Sequence, residues 1–400
     1  MRILYICPSI PLPGFHGGST HVYELSRHLV KLGCKVYVLA RRLPGQSPFE
    51  IINGINVHRV WRGVFKPVFT DYTNGISGKT RGIGYSIMER VIENEKLKLF
   101  AEKLYFNTIY LAYVSSIALH LARAHEIDII LERGDSYGAG AIVSMLVNKP
   151  LITEIRDKYQ PYISLTRASV IVTYDKSILR NSLFKSKAIT MYGGVDITKF
   201  RPISNSRNRL FPSLREKVII GYSGSFMKSH RINDILLLAK KLYRRYGNRI
   251  HFLMIGPYDA RTLEFIKHFN LAEIFTFTGI IEHENLPAYL SSMDIGIALY
   301  DPERVAGPPY KVYEYMACGL PVITTRTLYS ERIIQDGVNG LLIKSSDIEE
   351  LYSKVIRLIE NSDLRDSMGK LARKTVLKYT WEKEAKNLLS VIKKVCEMNK

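Results

Sequence analysis

Lys311 and Glu314 stand three residues apart in a stretch, residues 306–325, that reads as loop, helix, turn and strand. Pro308 and Pro309 oppose a helix before them and favour one just after. The spacing predicts a helix over 310–318, stopped by Gly319 and Pro321, and then a short β-branched strand, Val322–Thr325. The first backbone N–H groups of such a helix have no intrahelical partner and carry partial positive charge, which suits a phosphate. Lys311 adds a full positive charge, and Glu314 shares its face. Amide donors, a cation and a carboxylate together are the set that a nucleotide diphosphate-sugar requires. The donors and the cation serve the diphosphate, and the carboxylate serves vicinal ribose hydroxyls. Outside such a context a Glu–Lys pair is an ordinary solvated ion pair.

The elements that must position these residues repeat twice. Residues 2–7 form a continuous apolar run, as in a strand buried on both faces of a parallel sheet. A loop follows, then a helix that Ser19 can cap and Gly33 ends, then a second strand over 35–40. Gly17 and Gly18 fall at the carboxyl end of the first strand, where open α/β sheets bind ligands; as a bare glycine pair they also suit a tight turn. Further strands are predicted over 128–133, 150–155, 169–173 and 188–191, with a linker at 204–208. The second half restarts with strands over 217–222 and 250–255, the latter ending at Gly256. Strands over 275–279 and 294–299 follow, ahead of the 306–325 stretch. Asp347 and Glu350 make a capping box. Trp381, Ala385, Leu388, Ile392 and Val395 give a final amphipathic helix.

The 400 residues carry a net charge of +20, spread over both halves, which implies acidic partners. Cys7, Cys34, Cys318 and Cys396 form no C-x-x-C pair, so neither zinc nor a disulfide framework is suggested and a reducing cytosol fits. The amino terminus enters a strand at once, without a signal sequence. Residues 104–122 lack charge but hold Asn107, Thr108, Ser115, Ser116 and His120, so a buried helix is expected there in place of a membrane span.

K-x-x-E-Y-M-A-x-G-x-P-V at 311–322 resembles the signature of the retaining glycosyltransferases of family 4. Tyr192–Pro202 resembles that family's N-G-V-D-x-x-x-F-x-P segment, Phe275–Gly279 its F-x-G strand end, and Glu331–Gly340 its E-x-I-x-D-G-x-N-G. The resemblance implies an α/β GT-B fold, two Rossmann-like domains facing each other across a cleft. Residues 1–202 would form the acceptor domain, with 380–400 crossing back onto it, and 203–379 the donor domain. Glu314 would bind the donor ribose. Gly17 and Gly18 would approach the diphosphate and the acceptor. Gly279 and Ile281 would flank the base, with Gly256 at the neighbouring strand end. Lys228 and Arg231 would bind phosphate, although Ser225 stands where arginine is usual and His230 is an alternative to Arg231. Arg133 replaces a histidine that lies near the transferred sugar. An arginine cannot act as a base, so its role would be electrostatic; a structural partnership with Glu132 or Asp135 is equally open. The family's two glutamates have seven residues between them, and the first falls here on Ala306, with Glu303 three residues early. That matches a subset with a proline-lysine loop, in which backbone amides of Gly307 and Tyr310 would help hold the sugar.

The expected activity is metal-independent transfer of a hexosyl or N-acetylhexosaminyl group, with retention, from a UDP- or GDP-sugar to a glycan or lipid-linked acceptor. Arg133, Lys311 and Glu314 are its catalytic candidates. No D-x-D pair occurs, so no metal and no cofactor are expected, and cations must meet the leaving diphosphate. The alternatives are a nucleotide-sugar epimerase or phosphorylase on the same scaffold, or a basic nucleic-acid-binding protein; nucleic acid is not the partner favoured, because no aromatic-basic recognition motif is present. A nicotinamide dehydrogenase is disfavoured because no G-x-G-x-x-G occurs. The charge and the mixture of Trp61, Phe65, Arg62, Lys66, Lys79 and Arg81 point to an anionic membrane surface, hence a cytoplasmic protein peripheral to the inner membrane face.

Overall fold

The computed structural model describes residues 1–14, 17–61, 67–68, 81–82, 105–156, 160–301, 310–345 and 347–399. Glu303, Ala306, Gly307, Pro308 and Pro309 lie outside them, as do Arg62, Phe65, Lys66 and Lys79 and the side chains of Arg81 and Lys228. The chain forms two compact units: residues 1–192 with 381–400, and residues 193–380.

The first unit is built on an eight-stranded sheet. Its strands are β1 (Arg2–Pro11), β2 (Lys35–Arg41), β3 (Phe49–Ile52), β4 (Ile55–Val60), β5 (Ile129–Arg133), β6 (Leu151–Ile155), β7 (Val170–Thr173) and β8 (Ala188–Thr190). The order is β8-β7-β6-β5-β1-β2-β4-β3, parallel except for the β3–β4 hairpin at one edge. Alternate residues of β1 feed opposite faces, which is why its whole run is apolar. Ile3, Tyr5 and Cys7 join the core under helix α1 (Gly17–Lys31), whereas Leu4 and Ile6 join the core under α2 (Leu111–Ala124) and α3 (Ala139–Leu146). A π-turn, Phe106–Tyr110, leads into α2. One side of α2 buries Val114, Ala118, Leu121 and Ala122, and Ala112, Ser116 and His120 are exposed. The uncharged run is therefore an amphipathic surface helix, with Ser116 and His120 on the wet side and Ser115 buried. Ser19 does not cap α1; that helix starts two residues earlier, and the Ser19 hydroxyl donates to the Pro11 carbonyl. Two short helices, α4 (Tyr162–Arg167) and α5 (Ser182–Ser186), flank β7 in sequence.

The second unit carries a six-stranded parallel sheet of β9 (Val218–Ser223), β10 (Ile250–Ile255), β11 (Phe275–Gly279), β12 (Ile295–Ala298), β13 (Val322–Thr325) and β14 (Leu341–Ile343). Its order is β11-β10-β9-β12-β13-β14. Helices α6 (Ile232–Tyr246), α7 (Tyr310–Ala317), α8 (Ile348–Glu360) and α9 (Ser362–Val376) supply the residues that cover it.

The boundary falls at Gly193, not after Pro202. Phe200 is buried in the second unit's core, and the Arg373 guanidinium donates to the carbonyls of Ile197 and Phe200, which holds the segment there. The stretch read as a linker forms the helix Ser206–Leu210, with Ser206 buried and Arg207 paired to Asp294 at 2.7 Å. The last helix, α10 (Trp381–Glu397), belongs to the first unit. It packs along α1, and Ala385, Leu388, Ile392 and Val395 enter the core that holds Tyr5 and Val22.

Candidate functional site

In the second unit, β9, β10 and β11 end side by side in glycine-containing turns. Ser223 pairs with Ile255, and Ile255 with Gly279. The Gly224 N–H donates to the Ile255 carbonyl, and the Gly256 N–H to the Gly279 carbonyl, both at 2.9 Å. A Cβ on Gly256 would meet the Gly224 carbonyl oxygen at 2.1 Å, and one on Gly224 would meet Lys311 Nζ at 2.7 Å. Both positions also have positive φ, +129° and +134°. The space over these strand ends is thus bounded by bare backbone, as close approach of a phosphate would need.

Helix α7 delivers Lys311 to this edge. Lys311 Nζ donates to the Tyr222 hydroxyl at 3.2 Å and lies 4.3 Å from the centroid of that ring and 5.5 Å from that of Tyr300. The Tyr222 hydroxyl donates to the Ser225 carbonyl at 2.6 Å, and His230 Nδ1 sits 3.0 Å from the same hydroxyl. Arg231, favoured over His230 by the sequence, instead holds Asp234 at 2.5 Å on its own helix, so His230 is the residue of this loop that the fold brings to the Lys311 network. Lys228 opens the same turn, Lys228–His230.

Glu314, one turn on from Lys311, reaches a different loop. Its Oε1 is 3.3 Å from His283 Nε2, just beyond the end of β11. Tyr315 is fully buried, accepts from the Ser223 N–H at 2.6 Å and so pins α7 to the end of β9; burial pushes its phenol well up. Burial likewise lifts the Cys318 thiol to about 12, so Cys318 is a core residue. Ile281 and Tyr310 are half-buried and pack on the same core. Glu331 and Asp336 of the E-x-I-x-D-G-x-N-G stretch pair with Arg326, and Asn339 donates to the Ile333 carbonyl and Thr375, so those side chains brace a turn.

Arg133, Gly17 and Gly18 belong to the first unit. The two glycines open α1, with Gly17 exposed and Gly18 half-buried; they are a helix start, not a tight turn. Arg133 ends β5, its Nε 3.7 Å from Asp135 Oδ1. Burial opposes its charge, but Asp135, Tyr5 and Glu154 outweigh burial and keep the guanidinium protonated. Glu132 points elsewhere, accepting from Ser136, Thr153 and the Gly140 N–H.

Behind Arg133 lies a buried cluster that sequence reasoning missed. Glu154 accepts from the Tyr5 hydroxyl at 2.5 Å, from His21 at 3.1 Å and from Arg156 at 3.1 Å. Arg156 stacks on the Tyr174 ring at 3.9 Å, and His21 meets Trp381 of α10 edge-on at 5.5 Å. Burial alone would raise Glu154, yet Arg156 and His21 hold its carboxyl well below the usual carboxylate range. Burial pushes the His21 imidazole down to about 4 against the pull of Glu154, so it is neutral near pH 7. These residues come from five separate parts of the chain, and no local pattern marks them.

Among the described residues, no three His, Cys, Asp or Glu side chains gather as a metal site requires. No helix among them is long and apolar enough to cross a membrane.

The family description "Glycosyl transferases group 1" matches residues 206–375, and "Glycosyltransferase Family 4" matches residues 15–77; together they span more than half of the chain. This protein is a family 4-type glycosyltransferase. It is 22% identical over 401 residues to an uncharacterized glycosyltransferase of Methanocaldococcus jannaschii, covering 98% of both chains. Among solved structures, Anabaena HepE in complex with UDP and glucose aligns with a TM-score of 0.73 at 14% identity, over 98% of this chain and 100% of that one. Sucrose-phosphate synthase of Thermosynechococcus elongatus aligns with a TM-score of 0.74 at 17% identity, over 98% of both. At such identities these likenesses show the fold, which is GT-B, as the sequence resemblance implies. In this glycosyltransferase the group 1 match contains the glycine edge, Lys311 and Glu314, whereas the family 4 match contains Gly17 and Gly18.

Proposed function

We propose that the enzyme is a retaining glycosyltransferase that moves a hexosyl or N-acetylhexosaminyl group from a UDP- or GDP-sugar to a glycan or lipid-linked acceptor, without a metal. The observation that carries this reading is the convergence of Gly224, Gly256 and Gly279 with Lys311 at one edge of the second sheet, with Glu314 one turn on along the same helix, at His283. The diphosphate lies over the glycines with Lys311 beside it, and Glu314 accepts from the ribose. As the bond between the anomeric carbon and the diphosphate oxygen breaks, negative charge grows on the leaving group, and fixed cations and amides stabilise it. The acceptor hydroxyl attacks the same face, and its proton passes to the departing phosphate oxygen. Within the first unit, Arg133 keeps its charge and is the candidate there for an electrostatic role. HepE has been solved with UDP and with UDP-glucose, which supports a uridine donor here.

The test is a thermal-shift panel of UDP-, GDP- and ADP-sugars, since a ligand raises apparent stability by mass action. NMR of the product should then show an α-linkage from an α-linked donor. A β-product, or interconversion of nucleotide-sugars without acceptor, would replace this reading with another.

A lipid-linked acceptor is favoured by one surface of the first unit. Tyr162, Ile163 and Leu183 are exposed on α4 and α5, and the Tyr162 and Phe184 rings touch at 5.7 Å. Arg167, Lys176, Arg180, Lys185 and Lys187 accompany them, with Asp175 as the one acidic residue of 160–191. Apolar side chains within a basic field suit an anionic bilayer.

A further inference from the structure

The environment of Glu314 contains a chain of contacts that donor binding alone does not explain. His283 Nε2 is 3.3 Å from Glu314 Oε1, and the other ring nitrogen, Nδ1, is 2.8 Å from Lys199 Nζ. Lys199 also pairs with Glu284 at 2.7 Å. An ammonium group has donors and no acceptor, so Nδ1 must accept from Lys199, and Nε2 then carries the ring hydrogen and donates it to Glu314. We propose that Lys199 and His283 form a relay that fixes the orientation of the Glu314 carboxylate for the donor ribose, which makes His283 a positioning residue. The inference rests on Glu314 being the ribose acceptor.

Each member sits on a different part of the second unit, and each is anchored. Asp196 Oδ1 accepts from the N–H groups of Thr198 and Lys199, and the Phe200 N–H donates to the Asp196 carbonyl at 2.8 Å. Phe200 is buried at 2% exposure, with the His283 ring tilted over it at 5.2 Å. Arg373 donates to the carbonyls of Ile197, Phe200 and Ala317, which ties the Lys199 segment to the last residue of α7, the helix that bears Glu314. Among the described residues, the charged groups that His283 meets are Lys199, Glu314 and, through Lys199, Glu284.

The effect on binding follows from geometry. A carboxylate has about four acceptor sites. One imidazole donor at Oε1 sets the carboxylate plane and leaves acceptor sites for ribose hydroxyls. A carboxylate already held in its binding rotamer loses less freedom when the ligand arrives. Without Lys199 the imidazole can present a bare nitrogen to Glu314 and repel it.

The experiment is calorimetric titration of UDP and of GDP into wild type, Glu314→Gln, Lys199→Met, His283→Ala, His283→Gln and His283→Asn. Thermal midpoints taken without nucleotide confirm that each variant folds, as expected with His283 39% exposed at its side chain. His283→Ala and Lys199→Met should each weaken the better nucleotide by about tenfold. His283→Gln places an amide donor where Nε2 stood and should stay within about twofold of wild type, whereas His283→Asn cannot reach Glu314 and should behave like His283→Ala. A merely structural role would not separate Gln from Asn. Equal loss in those two variants, or wild-type affinity in His283→Ala beside a weakened Glu314→Gln, overturns the relay alone. Wild-type affinity in Glu314→Gln, or no binding of either nucleotide by wild type, overturns the reading of the site and the relay with it.

Discussion

The Lys311 ammonium is held by Tyr222 twice, 3.2 Å from its hydroxyl and 4.3 Å from the centre of its ring. A lysine side chain is flexible, and this double contact fixes its charge over the glycine edge before any ligand arrives. Lys311→Met keeps the length and removes the charge; kcat should fall by about 100-fold or more, as when one fixed oxyanion donor is lost. Tyr222→Phe keeps the ring and should cost only about threefold to tenfold. Steady-state kinetics with the preferred donor decides, and a Lys311→Met enzyme with wild-type kcat removes Lys311 from the catalytic site.

Cations and backbone amides supply the positive charge in this reading, so activity should survive a chelator. Turnover measured in excess EDTA should match turnover in Mg²⁺ or Mn²⁺. Activity that disappears in EDTA and returns with either ion would overturn the assignment.

Acid should destabilise the first unit through His21. His21 is buried and neutral, with its pKa lowered by burial to about 4, whereas in the unfolded chain it titrates near 6.5. As pH falls from about 6.5 to about 4, the unfolded state takes up a proton that the folded state refuses, so folding stability drops, by up to about 3 kcal/mol. Glu154, held low by Arg156 and His21 against burial, loses its contribution only at still lower pH. The melting temperature should decline between about pH 7 and about pH 5, and His21→Gln should flatten that decline. An equally steep decline in the variant would assign the acid sensitivity elsewhere.

Binding to vesicles should rise with anionic lipid and fall with salt, because exposed charges are screened over about 8–10 Å at physiological ionic strength. Tyr162→Ser with Leu183→Ser should weaken co-sedimentation, as should neutralising Lys185 and Lys187. Both leucine and tyrosine are 69% exposed, so the fold should tolerate the change. Neutralising Arg62, Lys66, Lys79 and Arg81 tests the other basic stretch. Wild type that fails to pellet with anionic vesicles at low salt ends the membrane reading and makes a soluble glycan the better acceptor.

Much of this architecture is written in local patterns. The strands at Ile250–Ile255, Phe275–Gly279 and Val322–Thr325 end where the apolar runs and their glycine or proline neighbours say they should. The helix at Tyr310–Ala317 stops beside Gly319 for the same reason. Contacts between residues distant in sequence were not legible. Lys199, His283 and Glu314 meet although 84 and 31 positions separate successive members. The Arg231–Asp234 pair was not legible either, because the two meet only once the helix turns them together. The β3–β4 hairpin and the helix Ser362–Val376 were also missed: the hairpin's edge strand, with pattern exposed throughout its first three residues, lacks the apolar alternation that marks a strand, and the helix is largely polar.

The first unit is discontinuous, since α10 fills its core after all of the second unit has passed. A ribosome delivers the chain in order, so residues 1–192 emerge well before the helix that completes their core, whereas 193–380 is continuous in sequence. The same asymmetry governs truncation. A cut after residue 380 removes Ala385, Leu388, Ile392 and Val395 from the first unit's core and takes nothing from the second.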